Sequence, residues 1–129
     1  LVVLGDVLPG VDEGKLKELE VISIATHERG PVPHARVALP AAAWAENAGT
    51  ITNVKGHVQR MHAAFPPIGQ AIPGWEVVVR LAGATGVKLA WTHPREVFKD
   101  MTAAVPAWKE LAWTREARPL QLRFAGSRG

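Results

Sequence analysis

Cysteine is missing from all 129 residues. Within this chain that excludes disulfides, thiol catalysis, and zinc or iron–sulfur centres held by thiolates. It also fits a cytosolic location. Tyrosine is missing too, and serine occurs only at Ser23 and Ser127. Side-chain nucleophiles are therefore scarce. There is no G-x-S-x-G element, so serine-hydrolase chemistry is not expected. No run of about 18 apolar residues occurs, so nothing reads as a membrane-spanning helix. The opening Leu1-Val2-Val3-Leu4-Gly5 lacks the charged head and small-residue cleavage site of a secretory leader, and lacks an initiator Met. A start inside a buried-type strand is the expected mark of a piece cut from something longer.

What is present suits one domain with a genuine core. Apolar residues make up 47% of the chain, and a chain of this size hides roughly two thirds of its unfolded surface on folding. The net charge is +3. Residues 1–114 balance, and the excess comes from Arg115, Arg118, Arg123 and Arg128 against Glu116. That divides the chain into a domain over residues 1–114 and a basic tail over 115–129. A nucleic-acid surface would show a broader basic face interleaved with aromatics, so the tail is expected to be solvated or packed on a partner.

Hydrophobic periodicity gives the architecture. Leu1–Leu4 and Val21–Ala25 read as short buried strands. Between them Val11, Leu16 and Leu19 form one stripe of a helix over residues 11–20. Strand, helix, strand is a βαβ unit, which implies a parallel pair with a right-handed crossover. Residues 26–35 carry prolines and Gly30 and read as a loop. Arg36–Leu39 is a third strand, stopped by Pro40, and Ala41–Glu46 makes one helical turn. Two extended arms, Thr50–Asn53 and His57–His62, flank a Gly56-containing turn and predict a hairpin. A helix comes next over residues 73–84 with Trp75, Val78, Val79 and Ala82 on one face, ended by Gly83 and Gly86. Thr92 or His93 caps another, with Pro94 first and Val97, Phe98 and Met101 buried. Pro106 opens a short helix carrying Trp108 and Leu111, and Leu120–Phe124 alternates like an edge strand. Trp44, Trp75 and Trp108 are expected in the core; Trp91 and Trp113, near element ends, are expected against other parts of a larger protein. The fold class is α/β: a partial Rossmann-like parallel sheet with a βαβ unit, a hairpin-like loop and C-terminal helices.

Residues 36–60 carry a denser signal. Leu39, Pro40, Trp44, Glu46, Gly49, Thr50, Asn53, Gly56 and Gln59 stand at the fixed spacings of a segment found in molybdopterin oxidoreductases. There it runs Val-Val-Leu-Pro, an aromatic, Glu, Gly-Thr, Asn, Gly and Gln. Trp75–Ala82 is similar to the helix that this family places after the segment, and the resemblance spans roughly residues 20–113. The stretch ending Ala104–Trp108 looks like the tail of the large iron–sulfur subunit of bacterial NADH:quinone oxidoreductase, respiratory complex I, a branch that keeps the fold without molybdenum. This sequence departs from the pattern at Lys55, where Glu is usual, at His57, where Arg is usual, and at Ala35-Arg36, where Ala-Asp is usual.

The resemblance implies a structural or assembly region of a respiratory subunit, a degenerate molybdopterin-type domain without its own redox centre. Its partners would be the rest of the parent subunit and other peripheral-arm subunits, on the cytoplasmic side of the bacterial inner membrane. Iron–sulfur clusters would belong to the parent. The alternative is the part of a working molybdenum enzyme, such as a formate dehydrogenase or nitrate reductase relative, that binds molybdopterin guanine dinucleotide. Under either, the family loop assigns Glu46, Gly49, Thr50, Asn53 and Gln59 to the cofactor side, retained or vestigial. Gly49 admits a ligand close to the backbone, and Thr50, Thr52 and Asn53 offer donors and acceptors at short reach. Glu46 holds its loop through backbone N–H groups or accepts from a guanine amino group. The same side chains bonding only local backbone is the plainer expectation.

No catalytic residue and no metal ligand is expected in this chain. His57 and His62, five apart, do not face one another on a strand or share the i, i+4 face of a helix. Asp6 and Asp12 follow the first strand, where α/β proteins often bind ligands.

Overall fold

The computed structural model describes residues 1–6, 10–113 and 118–119. The chain divides into two units: residues 1–47 with 64–89, and residues 48–63 with those from 90 onward.

The first unit is built on three parallel strands in the order β1 (Val2–Leu4), β2 (Ile22–Ala25), β3 (Val37–Pro40). Val3 lies opposite Ser23, and Ser23 opposite Ala38. The ladder runs past the strand ends: Gly5 N–H donates to the Ile24 carbonyl at 2.9 Å and Ala41 N–H to the Ala25 carbonyl at 2.9 Å. Central strands of parallel sheets are covered on both faces and read as continuous apolar runs. Accordingly Val21 and Ile24 are fully buried. Ser23 is buried as well, and its hydroxyl finds no partner among the described residues. The crossover helix α1 (Glu13–Lys17) is shorter than the periodicity predicts. Asp12 starts it by accepting from the Gly14 N–H at 2.8 Å. Of the expected stripe only Leu16 is buried, in a cluster with Val3 and Val21; Val11 and Leu19 are exposed. The helix ends at Lys17, and Leu19 lies beyond it in the turn that leads to β2.

The Pro-rich loop holds one 3-10 turn, Val32–His34, and β3 includes Pro40 rather than stopping before it. Pro40 keeps its place because a strand edge needs only its carbonyl. Beyond it, Ala41 bridges Ile72 in parallel, and Ala42 N–H donates to the Ile72 carbonyl at 2.8 Å. Helix α2 (Gly74–Ala84) comes next. Its buried residue is Val77 rather than the expected stripe, whose members Trp75, Val78, Val79 and Ala82 are half-buried. Trp44 opens a second 3-10 turn, Trp44–Glu46, and is 76% exposed, not core.

The second unit contains the expected hairpin, β4 (Gly49–Thr52) and β5 (His57–Met61), antiparallel with Thr50 opposite Arg60 and Ile51 opposite Gln59. Arg118–Pro119 adds a short strand, β6, to β5. Residues 120–124, read as an edge strand, lie outside the described residues. Helix α3 (Pro94–Ala104) starts at Pro94 as expected; of its expected stripe Phe98 is buried while Val97 and Met101 are half-buried, and a 3-10 turn Pro106–Trp108 comes after it, with Trp108 half-buried rather than core. Trp113 packs edge-on against Phe98 within this unit, ring centroids 5.3 Å apart. No helix among the described residues is long and apolar enough to cross a membrane.

Because Ile24 lies wholly inside and Leu19 outside, Ile24→Ala is expected to cost the first unit about 3 kcal/mol. Leu19→Ala should move stability by less than about 0.5 kcal/mol. Urea-dependent pulse proteolysis of sites in this unit measures both.

Candidate functional site

The carboxyl ends of β1 and β2 bring together the most densely bonded polar group of the first unit. Asp6 follows the turn at Gly5, whose φ of 117° suits glycine. Thr26 and His27 follow Ala25, the last residue of β2. Asp6 Oδ1 accepts from Thr26 N–H at 2.7 Å and, longer, from His27 N–H at 3.4 Å. Oδ2 accepts from the Thr26 hydroxyl at 2.5 Å and faces His27 Nδ1 at 2.6 Å. An ionised carboxylate only accepts, so the proton between them belongs to His27 Nδ1. Thr26 Oγ1 also lies 2.7 Å from that nitrogen, and the Arg29 guanidinium stands 3.8 Å from Oδ2. The Asp6 side chain is only 13% exposed. Burial alone would raise its pKa. The bonds from the Thr26 hydroxyl, the His27 ring and the two backbone N–H groups outweigh that and hold the carboxyl far below the usual range.

Two recesses flank this group. One of about 240 Å³ is lined by Leu4, Asp6, Ile24, Thr26, Ala42 and Gly74. The other, about 330 Å³, is lined by Thr26, His27, Glu28, Val32 and Leu39 among others. Carboxyl ends of parallel strands are where open α/β sheets take ligands. Sequence reading singled out Asp6 for that reason. It missed Thr26 and His27 by assigning them to the loop, although their position directly after a buried strand was the available signal. Asp12, singled out with Asp6, caps α1 instead.

The family-loop residues fall in both units. Glu46, in the first, is 6% exposed, and its carboxylate accepts the Ala43 N–H at 2.7 Å. Asn47 staples the same loop, donating to the Ala42 and Ala43 carbonyls at 2.8 and 2.9 Å. In the second unit, Asn53 Oδ1 accepts from Lys55 N–H and His57 N–H at 2.9 and 3.0 Å, closing the hairpin turn on itself. Gly56 supplies its positive φ, 78°. Thr50 pairs with Arg60 and Gln59 with Ile51, so the Thr50 and Gln59 side chains stand on opposite faces of the hairpin. No atom of the described residues lies within 4 Å of where a Cβ on Gly49 would stand. Glu46 and Asn53 thus bond local backbone, and the hairpin does not gather Thr50, Asn53 and Gln59 onto one face.

Elsewhere in the second unit, His93 caps α3 through Arg95 N–H at 3.1 Å, while Glu96 accepts from Thr92 N–H at 2.6 Å and from His93 N–H at 3.1 Å. Those bonds, Thr92's first, lower the Glu96 pKa. Arg60 lies over the Trp113 ring, 5.2 Å from its centroid. Among the described residues no three His, Asp or Glu side chains are grouped to hold a metal ion.

Since the Asp6 pKa is depressed in the fold, its ionised form stabilises the native state above the unfolded value of about 3.9. Asp6→Asn is therefore expected to destabilise by about 2 kcal/mol at pH 7. The gap to the unsubstituted protein should stay constant down to about pH 5 and shrink below about pH 4. Urea titrations across pH 3–8 check both the size and the direction.

Comparison with known proteins supplies the context for this geometry. Residues 10–84 match the model of the molybdopterin oxidoreductase family. A nitrate reductase from Klebsiella oxytoca is 34% identical over 105 residues, covering 80% of this chain and 10% of that protein. The F420-dependent formate dehydrogenase 2 subunit alpha from Methanococcus maripaludis is 39% identical over 83 residues, 63% of this chain and 12% of that protein. The chain thus spans about a tenth of the length of these relatives. With the family match running from the crossover through the parallel ladder and the Leu39–Gln59 segment to the end of α2, the chain belongs to the molybdopterin oxidoreductase family.

Proposed function

We propose that the parent of this chain is a molybdenum oxidoreductase of the formate dehydrogenase or nitrate reductase kind, and that this chain is α/β framework contributing no reacting group. The names of its relatives carry the first half. The local geometry carries the second. A molybdopterin guanine dinucleotide presents phosphates, and phosphates need unclaimed donors. At the strand ends of the first unit the donors are spent on Asp6. In the family loop, Glu46 offers only acceptors, and Asn53 Oδ1 accepts from the backbone of its own turn. The Asp6 and Glu46 carboxylates, and the donors that Asp6 engages, do not fit the anionic part of the cofactor. Thr50, Gln59 and the open backbone at Gly49 are what the loop retains for contact with its uncharged parts. The redox chemistry belongs to the bound cofactor, and this chain supplies framework.

A second reading has its own support. Lys55 and His57 replace the acidic and arginyl residues usual in the family segment, and Asp6 fills the strand-end site. Both suit the degenerate branch found in the large iron–sulfur subunit of NADH:quinone oxidoreductase. On that reading the chain is an assembly region on the cytoplasmic side of the inner membrane, packed on its own subunit and on neighbouring peripheral-arm subunits.

Metal content of the full-length protein, purified from its native cell, separates the two. Stoichiometric molybdenum with formate oxidation or nitrate reduction is the expected result. Abundant iron without molybdenum, together with NADH oxidation by an artificial acceptor, would establish the second reading. In the same protein Asn53→Ala is expected to lower stability by about 1–2 kcal/mol and leave molybdenum loading unchanged. Loss of molybdenum at full stability would make Asn53 a cofactor contact.

A further inference from the structure

The arrangement around Asp6 resembles a bound ligand more than a structural ion pair. Backbone N–H groups of Thr26 and His27, the Thr26 hydroxyl and His27 Nδ1 all point at one carboxylate, at 2.7, 3.4, 2.5 and 2.6 Å. The Arg29 guanidinium closes the ring at 3.8 Å. Two successive backbone N–H groups, a hydroxyl, an imidazole N–H and a guanidinium make a mixed donor set of the kind that recognises oxyanions. Here the oxyanion is covalently part of the chain, delivered from the end of the adjacent strand. Its effective concentration exceeds that of any free anion, because the turn at Gly5 fixes it in place.

We propose that Asp6 is an internal ligand: it occupies an oxyanion site formed by Thr26, His27 and Arg29, and so denies the carboxyl ends of β1 and β2 to phosphates and carboxylates. The inference stands on this geometry alone and holds whichever oxidoreductase the parent is. It makes a specific statement about the variant protein. Removing the Asp6 side chain should uncover a working anion site, opening onto the recess of about 240 Å³ beside it. Asn in the same place should not, because an amide fills the space and its carbonyl keeps one acceptor for Thr26 N–H.

The test is equilibrium dialysis of radiolabelled acetate against the full-length protein, with inorganic phosphate as competitor. Acetate matches the Asp side-chain carboxylate and is the substrate of neither redox reading. Asp6→Gly should take up one acetate per chain beyond the unsubstituted protein, with millimolar affinity, displaced by phosphate. Asp6→Asn should take up none. Adding His27→Ala to Asp6→Gly should weaken the extra site several-fold. Should Asp6→Gly be recovered insoluble, Asp6→Ser replaces it, and soluble yield in acetate against chloride at equal ionic strength becomes a second readout, with acetate expected to rescue it. A folded Asp6→Gly protein without additional acetate overturns the proposal. So does extra acetate indifferent to His27→Ala, or failure of both variants to fold with acetate present.

Discussion

Burial of β2 on both faces, with a hydrogen-bonded neighbour on each edge, is the constraint around which the first unit is arranged. Val21 and Ile24 are excluded from water, which requires α1 and the Ala35 region to cover one side and the segment leading to α2 to approach the other. Once β2 is central, the polar groups at its carboxyl end have no sheet partner left. Thr26 and His27 emerge there at the surface, with N–H groups that no strand takes up. Asp6 meets that demand from the end of β1. Its ionisation is therefore tied to the parallel pairing itself: the carboxylate reaches those donors only while Leu4 and Ile24 stay in register.

Much of this was legible in the residues. Strand runs such as Val21–Ala25, the Pro94 start with its His93 cap, and the Gly56 turn state their conformation locally, because steric limits on φ and ψ act on each residue separately. Burial was less legible, since it depends on which surface meets which. Trp44 looks like core by composition, yet it sits in a 3-10 turn whose fixed point is Glu46 bonding back to Ala43, and the ring is left outside. Val77, rather than Trp75 or Val78, is the buried residue of α2, and at the start of that helix a Cβ on Gly74 would lie 3.2 Å from Leu4 Cδ1. The helix after β1 was read too long because Val11 and Leu19 share a period with Leu16. Period alone does not say where the crossover must stop.

The family segment was the most legible part and, as a site, the least conclusive. Its spacing identifies the ancestry of the chain, which the match over residues 10–84 shows. Yet spacing does not say whether a side chain faces a ligand or its own backbone. Asn53 sealing the hairpin turn and Glu46 sealing its loop are local bonds that a sequence pattern records identically in either case. The Asp6 cluster is the reverse. Its partners lie about twenty residues apart in sequence, and only the parallel register makes them neighbours.

Among the described residues β1 is the outer strand of its sheet, and Val2, Val3 and Leu4 bring neither a charge nor a proline nor a bulge to that edge. Val2 and Leu4 are more than half exposed. An unpaired strand edge is a template for pairing with another chain, and a very short edge strand blunts it. With only three residues to offer, β1 gives an incoming strand few hydrogen bonds, so the brevity of this edge does the work that a charge does elsewhere.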